Sequence, residues 1–100
     1  MSQKEVQSFF SLPLGFKSSF FLVKSRDNDL QKNRVAFAFS RKSGSAVLRN
    51  RFKRRFRHLI CGLSCAGHDF FIIAKRDLGS ISKEDWEKLR SRFVRWSESL

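Results

Sequence analysis

The segment from Leu48 to Leu63 constrains this chain most strongly, because it is apolar along one side and cationic along the others. Apolar residues recur at a spacing of three or four, at Leu48, Phe52, Phe56, Leu59 and Leu63. Between Arg49 and Arg57, six of the nine residues are Lys or Arg. This pattern predicts an amphipathic helix that begins near Ala46 after a Ser43-Gly44-Ser45 turn. Arg49, Lys53 and Arg57 should form a row along one border of its apolar stripe.

Positive charge is concentrated in the middle of the chain. The formal net charge is +12 in 100 residues, and the stretch from Lys32 to His68 has ten Lys or Arg and no Asp or Glu. Clustering of this kind favours a polyanionic partner, and a helical array of cations suits a nucleic acid backbone. The alternative interpretation is a charged, solvated surface that only keeps the protein soluble.

The remaining periodicities predict one α+β domain over residues 1–100, a small mixed β-sheet packed with helices. Strands are predicted at 19–24, 34–40 and 69–74, with a polar loop at 25–33. A final helix should begin after Ser82, with a core-facing seam of Trp86, Leu89, Phe93 and Trp96. Near the N-terminus, Pro13 and Gly15 limit any helix to the stretch before Leu12.

The residues of the chain do not form a recognisable protein catalytic set. His58 and His68 are ten apart, without the carboxylate and nucleophile spacing that hydrolysis needs, and both are expected at the surface. Asp69 is expected to be a turn or cap residue. Cys61 and Cys65 are expected to be reduced bystanders, since two thiols alone do not make a zinc site. With no membrane-spanning apolar run and no signal peptide, the protein is expected in the cytoplasm, without a membrane partner.

One ordered string of residues resembles the signature of the bacterial ribonuclease P protein subunit. It consists of Ser40-Arg41-Lys42 and then Gly44-x-Ala46-Val47-x-Arg49-Asn50-Arg51-x-Lys53-Arg54-x-x-Arg57. Asp69-Phe70-Phe71-Ile72-Ile73-Ala74-Lys75 resembles the last strand of that family. The resemblance covers about residues 18–97 and leaves 1–17 as a variable N-terminal segment. It implies an α-β sandwich with a left-handed βαβ crossover.

The resemblance implies the protein subunit of a ribonucleoprotein endoribonuclease that removes the 5′ leader of precursor tRNA. The catalytic centre would lie in the RNA, and Mg²⁺ would be held mainly by the RNA, with none bound tightly by the protein alone. The protein would be a monomer in a 1:1 complex with the catalytic RNA. Residues implied to contact that RNA are Arg41, Lys42, Arg49, Asn50, Arg51, Lys53, Arg54 and Arg57.

The resemblance also implies a cleft for the single-stranded leader on the sheet, formed by Phe21, Val23, Ala36, Ala38 and Ser40. The small side chains of Ala36, Ala38 and Ser40 would permit close approach of an extended strand, while Phe21 could face either the core or the cleft. The family usually has an aromatic residue where Val23 stands. Two alternatives remain, a small structured-RNA-binding protein of ribosomal type with no role in tRNA processing, and a self-sufficient nuclease.

Overall fold

A computed structural model describes Gln7 and residues 12–100 of the chain. In chain order, the described part contains β1 (Phe16–Lys17), β2 (Phe21–Asp27), β3 (Arg34–Phe39), α1 (Ala46–Cys61), β4 (His68–Ala74) and α2 (Lys83–Ser97). Single 3-10 turns lie at Arg41–Ser43, before α1, and at Leu78–Ser80, before α2. The helical stretch predicted before Leu12 lies outside the described residues, apart from Gln7.

The strands form one mixed sheet in the order β1-β2-β4-β3. β4 is antiparallel to β2 and parallel to β3, so Ile72 lies between Val23 and Phe37. Because β3 and β4 are parallel neighbours, the chain must cross from one end of the sheet to the other between them, and α1 makes that crossing. The predicted α+β fold with a small mixed sheet is confirmed.

The predicted element boundaries differ from the structure mainly in β2. The sequence predicted a loop from Ser25, but β2 continues through Asp27, because its last residues pair with β4 as far as His68. Polar residues there suggested a loop, whereas in the sheet Arg26 pairs with Asp69 and Asp27 pairs with His68 on β4. β1 was not predicted, since a strand of two residues has no detectable periodicity.

The core lies between one face of the sheet and the two helices. α1 contributes Phe52, Phe56 and Ile60, and α2 contributes Leu89 and Phe93. Phe56 is fully buried, and its ring centroid lies 5.0 Å from that of Phe21 and 5.4 Å from that of Phe93. The predicted stripe of α1 is therefore correct at its centre. Ile60 was missed, and Leu48, Leu59 and Leu63 are only partly buried against the core.

Polar side chains fix where the helices begin. The Ser45 hydroxyl accepts a hydrogen bond from the backbone N–H of Leu48, and Ser82 does the same for Asp85 at 3.0 Å. Gly44 has a φ of 116°, and a Cβ there would lie 2.7 Å from Leu48 Cδ1. Only glycine satisfies both conditions, so this residue sets the entry of the chain into α1. Both predicted helix starts are confirmed.

Replacing Phe56 with Ala should destabilise the domain by about 3–5 kcal/mol, as expected for removal of a fully buried aromatic ring. Urea unfolding monitored by circular dichroism measures the change. The exposed Arg54→Ala variant in the same helix is the control, and it should stay within about 0.5 kcal/mol of the parent. Equal stabilities for the two variants would contradict the packing of α1 described above.

Candidate nucleic-acid interface

Three cations of α1 lie over aromatic rings of the edge strand β3. The Arg49 Cζ atom is 5.5 Å from the ring centroid of Phe39, and the Lys53 Nζ atom is 5.6 Å from the same centroid. Arg57 Cζ lies 5.8 Å from the centroid of Phe37. The two rings are stacked on each other, 6.0 Å apart and nearly parallel. The predicted row of Arg49, Lys53 and Arg57 is therefore confirmed, and it rests on an aromatic ledge formed by Phe37 and Phe39.

The outward side of α1 carries the other predicted RNA contacts. Asn50, Arg51 and Arg54 are all exposed, as is Arg57 at the edge of the ledge. Since these residues share one helix with the row above the ledge, they form a single cationic surface. Arg55, which the family motif did not include, lies on the opposite flank, with its Cζ atom 5.5 Å from the ring centroid of Trp86.

Arg49 ties this surface to the turn before α1. Its Nη2 atom donates to the carbonyl oxygen of Ser40 at 3.3 Å, while its Nε atom is buried without a hydrogen-bond partner among the described residues. The turn is anchored to the end of β4, where the N–H of Ser40 donates to the carbonyl of Ala74 at 3.0 Å. Arg41 and Lys42 are exposed in this turn, so the structure brings them to the same region as the α1 cations.

The five residues predicted for the leader do not share one face of the sheet. Phe21 and Val23 are 1% and 0% exposed and belong to the core under the helices, so their side chains cannot contact a leader. The prediction was wrong for these two because strand parity could not be read from the sequence. Ala36 and Ala38 alternate with the core residues of β3 and therefore lie on the opposite, outer face.

Asp69 is the buried centre of a polar cluster, not the turn or cap residue that was predicted. In the register of the sheet it lies directly opposite both Arg26 and Arg34. Arg34 donates to both of its carboxylate oxygens, at 2.8 and 2.7 Å, and Asn28 donates to Oδ1 at 2.8 Å. Arg26 Nε lies 3.3 Å from Oδ2. The paired cations were visible in the sequence, but the register that places them beside Asp69 was not.

Burial by itself raises the pKa of the Asp69 carboxyl, since a low-dielectric site disfavours charge. The hydrogen bonds from Arg34, Asn28 and Arg26, together with the positive charge of Arg34, outweigh that effect. The pKa of Asp69 is therefore lower than its ordinary value, and the carboxylate remains ionised while it joins β2, β3 and β4.

The two histidines differ in their surroundings. His58 is exposed on α1, as predicted. The prediction of a surface position was wrong for His68, whose side chain is only 13% exposed and whose Nδ1 atom lies 3.1 Å from the carboxylate of Asp27. The cross-strand pairing of His68 with Asp27 produces this contact.

The described residues do not include a cluster of three or more His, Cys, Asp or Glu side chains able to hold a metal ion. Cys61 and Cys65 are both free thiols. Over the same residues, the helices are too short or too polar to cross a membrane.

A family model described as Ribonuclease P matches residues 2–97. The chain belongs to the bacterial ribonuclease P protein family. The match extends further towards the N-terminus than the 18–97 that the motifs indicated. Membership makes the chain the protein subunit of the ribonucleoprotein endoribonuclease ribonuclease P, an RNA-binding component in the 5′ maturation of tRNA. This outcome confirms the function implied by the sequence and decides against a ribosomal-type protein.

Curated relatives agree with this assignment. The ribonuclease P protein component of Streptococcus pneumoniae serotype 4 is 32% identical over 89 residues, covering 86% of this chain and 72% of the relative. That of Streptococcus thermophilus is 32% identical over 85 residues, covering 83% and 77%. The ribonuclease P family is Mg²⁺-dependent, and membership implies the ribonuclease P RNA and precursor tRNA as partners.

Solved structures show the same fold. The RNase P protein from Thermotoga maritima has a TM-score of 0.74 at 20% identity, covering 98% of this chain and 92% of its own. The Staphylococcus aureus RNase P protein has a TM-score of 0.62 at 19% identity, covering 99% and 87%.

Replacing Asp69 with Asn should lower the free energy of unfolding near pH 7 by about 2–3 kcal/mol. Removing one partner of a fully buried ion pair costs roughly 3–5 kcal/mol. The expected loss is smaller here because the side chains of Arg26 and Arg34 remain 27% and 29% exposed. Since the pKa is lowered, the stabilisation is complete above the unfolded value of about 3.9 and is lost as pH falls through the folded value.

Urea unfolding between pH 8 and pH 3 measures this effect. The difference between parent and variant should stay constant down to about pH 5 and shrink below about pH 4. Asp29→Asn is the matched control, because Asp29 is exposed and has a φ of 59°, a conformation that Asn readily adopts. A pH-independent difference for Asp69→Asn would contradict the role of its charge.

Proposed function

We propose that the outward side of α1 and the turn before it bind the catalytic RNA of ribonuclease P. The observation that carries this proposal is the single cationic surface of α1, which the aromatic ledge supports from below. The RNA-contacting residues are Arg41, Lys42, Arg49, Asn50, Arg51, Lys53, Arg54 and Arg57. The segment from Lys32 to His68 contains no acid that would oppose a phosphate backbone.

The aromatic ledge supports this role by orienting the cations. A guanidinium or ammonium group over an exposed aromatic ring gains about 0.5–1 kcal/mol, which restrains long side chains that would otherwise be mobile. An oriented guanidinium presents its donors in a fixed fork that suits phosphate oxygens. Each phosphate contact releases condensed counterions, so the RNA affinity of this surface depends strongly on salt.

Arg49 and Asn50 have special tasks within this surface. The bond from Arg49 to the carbonyl of Ser40 uses one of its donors to hold the turn, so Arg49 positions Arg41 and Lys42 as well as contacting RNA itself. Asn50 is exposed among arginines, and an Asn in a helix interior costs helix propensity. Its amide both donates and accepts, which suits a sugar or base edge better than a phosphate.

The single-stranded leader of precursor tRNA is proposed to lie along the outer face of the sheet. Ala36 and Ala38 provide short side chains there, so the leader backbone can approach β3 closely. Ser40 lies at the end of this path, where β3 meets the turn that carries Arg41 and Lys42. Phe21 and Val23 act on this site only through the core, by supporting β2 from the side of the helices.

Magnesium is proposed to be held mainly by phosphates of the RNA, where metal ions supply the chemistry of phosphodiester cleavage. Among the described residues, the buried acid Asp69 fits a magnesium ion poorly. Both carboxylate oxygens of Asp69 already accept hydrogen bonds from Arg34, which leaves this buried acid engaged. We propose further that residues 1–100 act as one RNA-binding domain, with 18–97 as its core, and that one monomer binds one catalytic RNA.

Replacing Arg54 with Ala should weaken binding to the catalytic RNA and reduce the slope of log K against log salt by about 0.7–0.9, the loss of one phosphate contact. Filter binding of the radiolabelled RNA at several KCl concentrations measures the slope. Arg95→Ala removes the same charge from an exposed position on α2 and should leave the slope unchanged. Equal slopes for the two variants would remove Arg54 from the interface.

A further inference from the structure

A cavity of about 150 Å³ lies between α1, the 3-10 turn at Leu78–Ser80 and the start of α2. Its lining includes the apolar side chains of Leu48, Phe52, Leu78, Ile81 and Trp86. Arg51 and Arg55 also line it, and both are exposed, so they form a cationic mouth that opens to solvent. The cavity is on the flank of α1 opposite the aromatic ledge.

We propose that this cavity holds the base of one unpaired RNA nucleotide. The proposal rests on the proposed function, because it requires that α1 faces RNA. This contact would recognise a base, whereas the rest of the cationic surface recognises phosphates. Unpaired bases of RNA are commonly held by stacking on aromatic side chains or on guanidinium planes.

The size of the cavity suits one aromatic ring system. An engineered apolar cavity of about 150 Å³ takes up benzene, and this cavity has a similar volume and is also open at its mouth, so a flat base can enter edge-first. Gly79 keeps this space open, since a Cβ there would lie 3.3 Å from Leu48 Cδ1. The nearby Asp77 carboxylate accepts a hydrogen bond from the Gly79 N–H at 2.9 Å, which orients this side chain within the turn.

Trp86 provides the stacking surface. Its ring is held by edge-on contacts with Phe56 at 5.6 Å and Phe52 at 6.1 Å, so its orientation is fixed before any ligand enters. As the sequence predicted, Trp86 packs against the core, but it is only partly buried and also reaches the cavity wall. The guanidinium of Arg55 lies over the same indole, so this exposed side chain must swing aside for a base to stack there, and it can then pair with the adjoining phosphate.

The charge at the mouth favours a nucleotide over a neutral apolar ligand. Arg51 and Arg55 are one helical turn apart, so they can bind successive phosphates on either side of one extruded base. A neutral apolar ring could pack against the apolar side chains of the cavity, but it would not interact with the two guanidinium groups.

Tryptophan fluorescence tests the site on the intact 100-residue chain. In a Trp96→Phe variant, Trp86 is the single reporter, and adenosine monophosphate should quench it saturably while ribose 5-phosphate, which lacks the base, should not. The matched control is Trp86→Phe, in which Trp96 reports from the other end of α2, packed against Phe93 and Phe16. It should show no saturable quenching. Quenching that is the same for both reporters, or for both ligands, overturns the proposal.

Binding to the RNAs themselves provides the second test. Trp86→Leu, which removes the stacking surface, and Ile81→Phe, which fills the cavity, should each weaken binding about tenfold with an unchanged salt slope, because no charge is lost. Reduced affinity for the catalytic RNA assigns the nucleotide to that RNA. A raised KM for precursor tRNA in the assembled holoenzyme, with unchanged affinity for the catalytic RNA, assigns it to the substrate.

Thermal unfolding by circular dichroism identifies variants that fail to fold. If Trp86→Leu fails to fold, the Ile81→Phe variant provides the binding test. Unchanged binding to both RNAs overturns the proposal, as does a reduced salt slope. Failure here is distinct from failure of the proposed function, because Arg54→Ala tests the α1 surface without touching the cavity.

Discussion

The burial of Phe56 between the sheet and α2 is the contact on which the rest of the structure depends. It holds α1 against the rings of Phe21 and Phe93 and thereby fixes which side of the helix faces inward. Once that side is committed to the core, the cations of the helix can only occupy the remaining circumference. The same rotation places Arg49, Lys53 and Arg57 over the aromatic ledge of β3. Packing and the position of the cationic surface are therefore consequences of one helix orientation.

Two sets of polar contacts hold the sheet and the cationic surface of α1 in place. On the outer face, Asp69 joins three strands through Arg26, Arg34 and Asn28. At the end of β3, the bond from Arg49 to the carbonyl of Ser40 connects the helix to its preceding turn. Both sets of contacts involve arginine, so part of the positive charge of this chain has a structural role. The net charge alone therefore overstates the number of cations available to RNA.

The helix and its cationic surface could be predicted from the sequence because they depend on local periodicity. Apolar residues that are three or four positions apart fix which side of the helix carries Phe52 and Phe56. Glycine and serine mark the start of α1. Features that depend on strand register could not be predicted. The parity of β2 decides that Phe21 and Val23 are buried, and the alignment of β2, β4 and β3 decides that Asp69 meets two arginines. The cavity beside Trp86 also arises from three segments that only tertiary packing brings together.

The proposed role of the protein is positioning rather than catalysis, and it requires that the outward side of α1 touches RNA in the holoenzyme. The most direct test places a photo-crosslinking amino acid at residue 54 on α1 or, as a control, at residue 95 on α2, and maps crosslinks after assembly with the catalytic RNA and precursor tRNA. We expect efficient crosslinks from residue 54 to the catalytic RNA and few from residue 95. Crosslinks from residue 95 alone would contradict the account.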